Sequence, residues 1–131
     1  MKKDIHIPEV KDVYIAVVQE EHLEYKTLDW NAYIINNSDA DLDTVLIVSQ
    51  GTSDEKMTPP MRHTIAKLPA RSYAKIEYMQ EQVLALNNTF KVTFFEGQQM
   101  FDKTYLFRQN TINDRALQQI PLMQLKGVIV K

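Results

Sequence analysis

The chain contains no cysteine, and this absence excludes several classes of protein at once. Among its 131 residues no thiol is available for a disulfide framework, a thiolate zinc site, an iron–sulfur cluster or a cysteine nucleophile. Glycine is also scarce, since Gly51, Gly97 and Gly127 are the only three. Their spacing never matches a phosphate-binding loop, so nucleotide binding through a P-loop or a dinucleotide fingerprint is excluded as well.

A surplus of positive charge and a long apolar run are missing too. Fifteen basic residues stand against seventeen acidic ones, for a net charge of −2, which argues against binding of nucleic acid. The longest apolar run, residues 13–18, is far shorter than the ~20 residues that span a bilayer. Charged residues follow the basic start of the chain where a signal peptide would need an apolar segment. We therefore expect a cytoplasmic protein with no membrane partner.

The composition describes an ordinary folded domain. Hydrophobic residues make up 44% of the chain, and a chain of this length buries roughly two-thirds of the surface that its unfolded form exposes. No repeat, low-complexity segment or linker divides the sequence. We expect one domain over residues 1–131, with a core that needs no disulfide or metal.

Alternating apolar positions and β-branched runs, separated by short polar breaks, predict a mostly β protein. The first predicted strand is apolar on both faces, which is typical of a strand covered on both sides or one at the edge of a sandwich. A tight hairpin turn at Glu96-Gly97-Gln98 joins the last two strands of the series. The seven predicted strands are residues 13–18, 28–36, 44–49, 61–65, 72–78, 90–94 and 100–107.

Two short helices are predicted between or after these strands. Apolar residues at i, i+4 and i+7 predict two helical turns over residues 79–86. Thr111, with Asp114 three residues later, has the pattern of an N-cap for a short helix that ends at Gln119.

Seven strands with mostly short connections favour a two-sheet antiparallel β-sandwich of immunoglobulin-like size. A small β-barrel is the alternative. The cysteine pair of immunoglobulin domains is absent, and Trp30 lies on the second predicted strand. The sequence thus favours the architecture without indicating that family.

The C-terminal segment is the main indication of a partner. Residues 121–130 are too apolar to lie in solvent, so they are expected to pair as a last strand or to dock on another chain. Residues 127–130 carry little protection against pairing with a second copy. We expect a homo-oligomer joined through an edge strand or this tail, with any other protein partner unknown.

No catalytic, metal or cofactor site is predicted. The histidines His6, His22 and His63 are far apart, and the densest group of ligand-type residues, at positions 20–24, fits a charged loop between strands. No G-x-S-x-G elbow is present. A non-enzymatic role is therefore favoured.

Tyr25 and Trp30 are the candidate ligand-binding residues. They flank the start of the second predicted strand, where a sandwich can form a groove, and aromatic rings provide stacking surfaces for a sugar or a base. The competing prediction for such residues is burial in the core.

Four stretches of the chain together resemble a family of short, uncharacterised bacterial proteins, and the resemblance extends over the whole sequence. Some members bear the name phenylalanyl-tRNA synthetase alpha subunit, which implies a role in aminoacyl-tRNA synthesis. The residues lack the Arg-x-Glu of a class II synthetase, because Arg108 is followed two residues later by Asn110. No site residue is therefore carried over from the family. The four stretches are IPEVKDV at 7–13, DWNAYIINNS at 29–38, MRH at 61–63 and VLALNN at 83–88.

Three functions follow from these observations. The first is a non-enzymatic protein–protein interaction or structural module that associates with itself. The second is a β-sandwich that binds a small ligand or a carbohydrate through Tyr25 and Trp30. The third, a role in aminoacyl-tRNA synthesis, rests on the resemblance alone. Outward-facing aromatic side chains clustered in a groove would favour the second function over the first.

Overall fold

A computed structural model describes residues 8–131; the remaining residues, His6 among them, lie outside the described part of the chain. Within residues 8–131 there are nine β-strands, one helical turn α1 (Glu81–Leu84) and one 3₁₀ turn (Asp114–Ala116). The strands are β1 (Val13–Glu21), β2 (Leu28–Asn36), β3 (Leu42–Thr52), β4 (Met61–Leu68), β5 (Ser72–Met79), β6 (Asn87–Glu96), β7 (Gln99–Phe107), β8 (Gln118–Gln119) and β9 (Lys126–Val130).

The strands form two antiparallel sheets. One has the order β5-β2-β1-β9-β8 and the other has the order β4-β3-β6-β7. The predicted β-sandwich is confirmed, and the barrel alternative is wrong because neither sheet closes on itself. The C-terminal tail pairs with β1 as the last strand, β9, which is one of the two alternatives expected for it. The strand that the sequence did not predict is β8, whose two residues are too few to show an alternating pattern. None of the helices in residues 8–131 has the length and apolar character needed to cross a membrane.

The main core lies between the two sheets. Aromatic residues of the four-stranded sheet pack against aliphatic residues of β1 and β2, and full burial of each such side chain contributes about 1.5–3 kcal/mol. The hydroxyl of Tyr105 donates a hydrogen bond to the carbonyl of Val13, so the one polar atom of this ring is satisfied. The fully or almost fully buried members include Ile15, Val17, Ile34, Phe90, Phe94, Tyr105 and Phe107.

A second, smaller core covers the opposite face of the five-stranded sheet; we call it the outer core. Ala16 and Val18 of β1 are fully buried there, although they point away from the main core. The segment that carries β8 folds over them and contributes Ile120 and Met123. β1 is therefore buried on both faces, which is the first of the two alternatives expected from its continuous apolar sequence.

The first predicted helix is much shorter than expected. Only Glu81–Leu84 is helical, because both ends of the predicted segment are taken by strand pairing. Met79 still belongs to β5 and pairs with Trp30, whereas Asn87 already belongs to β6 and pairs with Thr52. Cross-strand hydrogen bonds thus override the apolar spacing that suggested two full turns.

The second predicted helix is a single 3₁₀ turn at Asp114–Ala116. Its N-cap is Asn113, whose side chain accepts a hydrogen bond from the backbone of Arg115. The hydroxyl of Thr111, which we expected to form the cap, donates instead to the carbonyl of Arg108. After the turn the backbone becomes extended and forms β8.

Gly127 allows β9 to approach β1 closely. A Cβ atom at this position would lie 2.5 Å from the carbonyl oxygen of Val17 and 2.9 Å from the Cα of Val18, and both are backbone atoms. A backbone in the centre of a sheet cannot move aside without disturbing its own hydrogen bonds, so the position requires glycine.

We expect Gly127→Ala to lower the free energy of unfolding by about 2 kcal/mol, the cost of forcing extra volume into a packed site. Urea unfolding followed by circular dichroism measures this change. Gly97→Asn is the matched control, because Gly97 has a φ of +59° with nothing near its missing Cβ and asparagine tolerates that conformation. If Gly127→Ala were as stable as the wild type, this would contradict the close approach of β9 to β1.

Candidate functional site

A groove of about 770 Å³ lies on the outer face of the five-stranded sheet; we call it the outer groove. One wall is the loop between β1 and β2, residues 22–27, and the floor and the other wall come from outward-facing residues of β1, β2 and β5. Its principal residues are Glu20, His22, Tyr25, Asn31, Tyr33, Lys75 and Tyr78.

Tyr25 is exposed but held in place. The loop closes through two backbone hydrogen bonds, from His22 to the carbonyl of Thr27 and from Lys26 to the carbonyl of His22. Nδ1 of His22 accepts from the backbone N–H groups of Glu24 and Tyr25. The rings of His22 and Tyr25 then stack with their centroids 4.7 Å apart. A ring that is 71% exposed is thus ordered before any ligand arrives, which lowers the entropic cost of binding.

The floor of the outer groove is a hydrogen-bonded carboxylate. Oε1 of Glu20 accepts from Nδ2 of Asn31 at 3.0 Å and from the hydroxyl of Tyr33 at 2.6 Å. Both donors use the same oxygen, and among residues 8–131 none donates a side-chain hydrogen bond to Oε2. The carboxylate is therefore fixed in position through one oxygen, and within residues 8–131 its second oxygen is left to accept from a ligand.

Tyr33 links the outer groove to the outer core. Its ring is only 9% exposed and packs with Ile35 and Met123, while its hydroxyl bonds Glu20. Burial, together with the hydrogen bond to Glu20, raises the pKa of Tyr33 well above its ordinary value of 10.0. The phenol therefore stays protonated and acts as a donor throughout the physiological range.

The outer groove is strongly acidic. Four carboxylate residues line it, against one lysine. This balance repels phosphates and other anions, and it favours ligands that donate hydrogen bonds to carboxylates. The four acidic residues are Glu20, Glu21, Glu24 and Asp29.

The structure separates the two residues that the sequence singled out. Tyr25 lines the outer groove, whereas Trp30 points to the other face of the sheet. Trp30 packs against the main core and lines a different cavity of about 630 Å³ beside Leu84 and Ile112. They do not form one ligand site, because residues of β2 alternate between the faces and Trp30 shares its face with Ala32 and Ile34.

Sequence reasoning missed Glu20, Asn31, Tyr33 and Tyr78 as groove residues. Asn31 carried a usable signal, since an asparagine flanked by apolar residues in a predicted strand needs a hydrogen-bond partner when buried. It is 6% exposed and finds that partner in Glu20. Glu20 itself lies in a charged run that looks like a loop in the sequence, but it belongs to β1.

Residues 8–131 contain no group of three or more histidine, aspartate or glutamate side chains placed to hold a metal ion. In the charged run at positions 20–24, Glu20 bonds Asn31 and Tyr33, while His22 bonds loop amides. These side chains therefore organise the groove and the loop.

Within residues 8–131, no hydroxyl that lines the outer groove is hydrogen-bonded to a histidine base, and Glu20 serves as the acceptor for two fixed donors. Comparisons of the chain with protein-family models, with curated proteins and with solved structures find no match.

We expect Tyr33→Phe to lower stability at neutral pH by about 1–2 kcal/mol, because a charge-assisted hydrogen bond to Glu20 is lost. A raised folded-state pKa stabilises the protein fully below pH 10 and progressively less as the pH rises above 10. The stability of the wild type should therefore fall more steeply above pH 10 than that of Tyr33→Phe.

Urea unfolding between pH 7 and pH 11 measures both effects. Tyr73→Phe is the matched control, because Tyr73 packs edge-on against Tyr33 but is 44% exposed. Loss of the Tyr73 hydroxyl should change the free energy of unfolding little. Equal pH dependence of Tyr33→Phe and the wild type would show that the Tyr33 hydroxyl is not held by Glu20.

Proposed function

We propose that the protein is a non-enzymatic, cytoplasmic binding module that holds a small, neutral, hydroxyl-rich ligand of the carbohydrate class in the outer groove. The observation that carries this proposal is the combination of Tyr25, exposed yet fixed by its stack on His22, with the free carboxylate oxygen of Glu20. The proposal develops the small-ligand alternative from the sequence, with Tyr25 retained and Trp30 replaced by residues of the groove floor.

The side chains of the outer groove match the two kinds of surface that a sugar presents. The C–H face of a sugar ring packs against the negative face of an aromatic ring, for the same electrostatic reason that aromatic pairs prefer edge-to-face contacts. Tyr25 and Tyr78, respectively 71% and 54% exposed, offer such faces. Sugar hydroxyls donate to carboxylates, and Glu20 and Asp29 supply these acceptors. Aromatic faces beside polar groups that are fixed in position are typical of ligand pockets.

We expect Tyr25→Ala to weaken sugar binding about fivefold, or by about 1 kcal/mol, because one stacking face is lost. The probes are glucose, galactose, maltose and chitobiose, titrated into the labelled protein and followed by amide chemical shifts. The amides of the loop between β1 and β2 should shift for at least one of these sugars.

Met57→Ala is the matched control for this titration. Met57 is 73% exposed, about as much as Tyr25, but it does not line the outer groove. Binding by this variant should equal that of the wild type. Shifts confined to residues outside the groove, or equal losses in both variants, would contradict the proposal.

Self-association is a second candidate, favoured by an open strand edge. β9 pairs with β1 through Gly127–Val130, but β8 covers the other side of β9 only at Lys126 and Gly127. Within residues 8–131, the outer edge of residues 128–130 therefore has no strand beside it. An apolar edge of this kind is a template for pairing with a second copy. We propose this edge as the site of homo-oligomer formation.

Sedimentation velocity from low to high micromolar concentration tests self-association. We expect a monomer–dimer equilibrium that moves toward the dimer as concentration rises. A protein that remains monomeric at the highest concentration would contradict the second candidate and leave the binding proposal unaffected.

We also propose that the sandwich is immunoglobulin-like, because its strand order resembles that of an immunoglobulin constant domain. β5, β2 and β1 are neighbours in one sheet and β3, β6 and β7 in the other, as are strands E, B, A and C, F, G of an immunoglobulin constant domain. β4 lies beside β3, whereas the fourth strand of a constant domain lies beside the fifth.

The role in aminoacyl-tRNA synthesis implied by the resemblance stays a prediction.

A further inference from the structure

A β-bulge turns Glu77 into the interior of the sandwich. The ladder between β5 and β2 shifts register between Lys75 and Glu77, so Ile76 has no residue opposite it. In a regular strand Ile76 and Glu77 would point to opposite faces. Here Ile76 packs in the main core and Glu77 also points inward, where it reaches Ser49 of β3. Bulges commonly re-aim a side chain in this way beside functional sites.

Within the described part of the chain, the inward carboxylate accepts side-chain hydrogen bonds through one of its two oxygens. Oε1 of Glu77 accepts from the hydroxyl of Ser49 at 2.6 Å and from Nε2 of His63 at 2.8 Å. Among residues 8–131 no side chain donates to Oε2, and no lysine or arginine nitrogen lies within 4.0 Å of the carboxylate. The Glu77 side chain is 13% exposed. A carboxylate so far removed from water is stabilised by each additional donor that reaches it.

The carboxylate lines a cavity of about 380 Å³ between the sheets; we call it the edge cavity. Its other walls include the apolar side chains of Met61, Val83 and Phe90. Polar residues complete the lining, and within residues 8–131 Glu77 is the one carboxylate among them; the others are Ser49, Gln50, Thr58, Gln80 and Asn88. The volume lies within the range of small-molecule sites, and apolar walls with a few well-placed polar groups are typical of them. The edge cavity shares only Tyr78 with the outer groove, so the two are separate sites.

We propose that the edge cavity binds a small organic ammonium ion. The ammonium group donates a hydrogen bond to Oε2 of Glu77, and the hydrocarbon part of the ligand packs against Met61, Val83 and Phe90. Charge decides the class of ligand, because a carboxylate in an apolar cavity attracts a cation more strongly than it would in water and repels an anion. Ser49 and His63 hold Glu77 in position and act as positioning residues.

Three probes of similar shape test this proposal on the full chain at neutral pH: benzylammonium, benzyl alcohol and benzoate. Amide chemical shifts locate binding, and the titration gives the affinity. We expect benzylammonium to shift the amides of Ser49, Gly51 and Val83, benzyl alcohol to bind about tenfold more weakly, and benzoate not to bind. Equal affinity for the ammonium ion and the alcohol, shifts outside the edge cavity, or no binding of the ammonium ion at millimolar concentration would each overturn the proposal.

Glu77→Gln tests the role of the carboxylate directly. The amide keeps an oxygen that can accept from Ser49, so the shape of the cavity is conserved while its charge is removed. We expect the tenfold preference for the ammonium ion over the alcohol to disappear in this variant. Glu20→Gln, which removes a carboxylate from the outer groove alone, should retain the preference. If Glu77→Gln does not fold, the ratio of affinities in the wild type decides the question.

Discussion

The burial of β1 on both faces is the constraint on which the rest of the structure depends. Ile15 and Val17 face the main core, and Ala16 and Val18 face the other way. Because apolar side chains on both faces of a central strand must be removed from water, a second layer has to cover the outside of the five-stranded sheet. The C-terminal segment supplies that layer in the outer core, and β9 completes it by pairing with β1 at the distance that Gly127 permits.

The outer layer is incomplete, and its boundary creates the candidate site. The C-terminal segment covers the sheet only as far as Tyr33, whose ring is buried in the outer core and whose hydroxyl lies in the outer groove. Beyond Tyr33 the outer face becomes polar, with Asn31 and Glu20 forming the groove floor. One buried tyrosine thus couples the stability of the outer core to the geometry of the groove. The edge cavity has a different origin, since it depends on the bulge that directs Glu77 inward.

The local pattern of the sequence was enough to predict the sandwich and most of its strands, because alternation in β2 and the turn at Gly97 are local signals. The local pattern did not predict the correct length of the helix over residues 79–86, because the residues at both ends of this segment pair with strands that are distant in the sequence. The candidate site was predictable only in part. Tyr25 could be identified as an exposed aromatic ring near a strand start. Alternation places Trp30 on one face of β2 with Ala32 and Ile34, but both faces of this strand are apolar, so the spacing does not say which one meets the main core. The partners of Glu20 and Glu77 depend on strand register and on a bulge, which no local spacing encodes.

The C-terminal segment is an integral layer of the sandwich, and the outer groove lies on the same face beyond the boundary of that layer. Amide hydrogen exchange under native conditions tests this claim most directly, because exchange reports the free energy needed to open each part of the fold. We predict that the amides of β9 that pair with β1 exchange as slowly as those in the middle of β1, and that they open together with it. Fast exchange throughout residues 118–130, with β1 still protected, would contradict the account, because the outer face would then be uncovered.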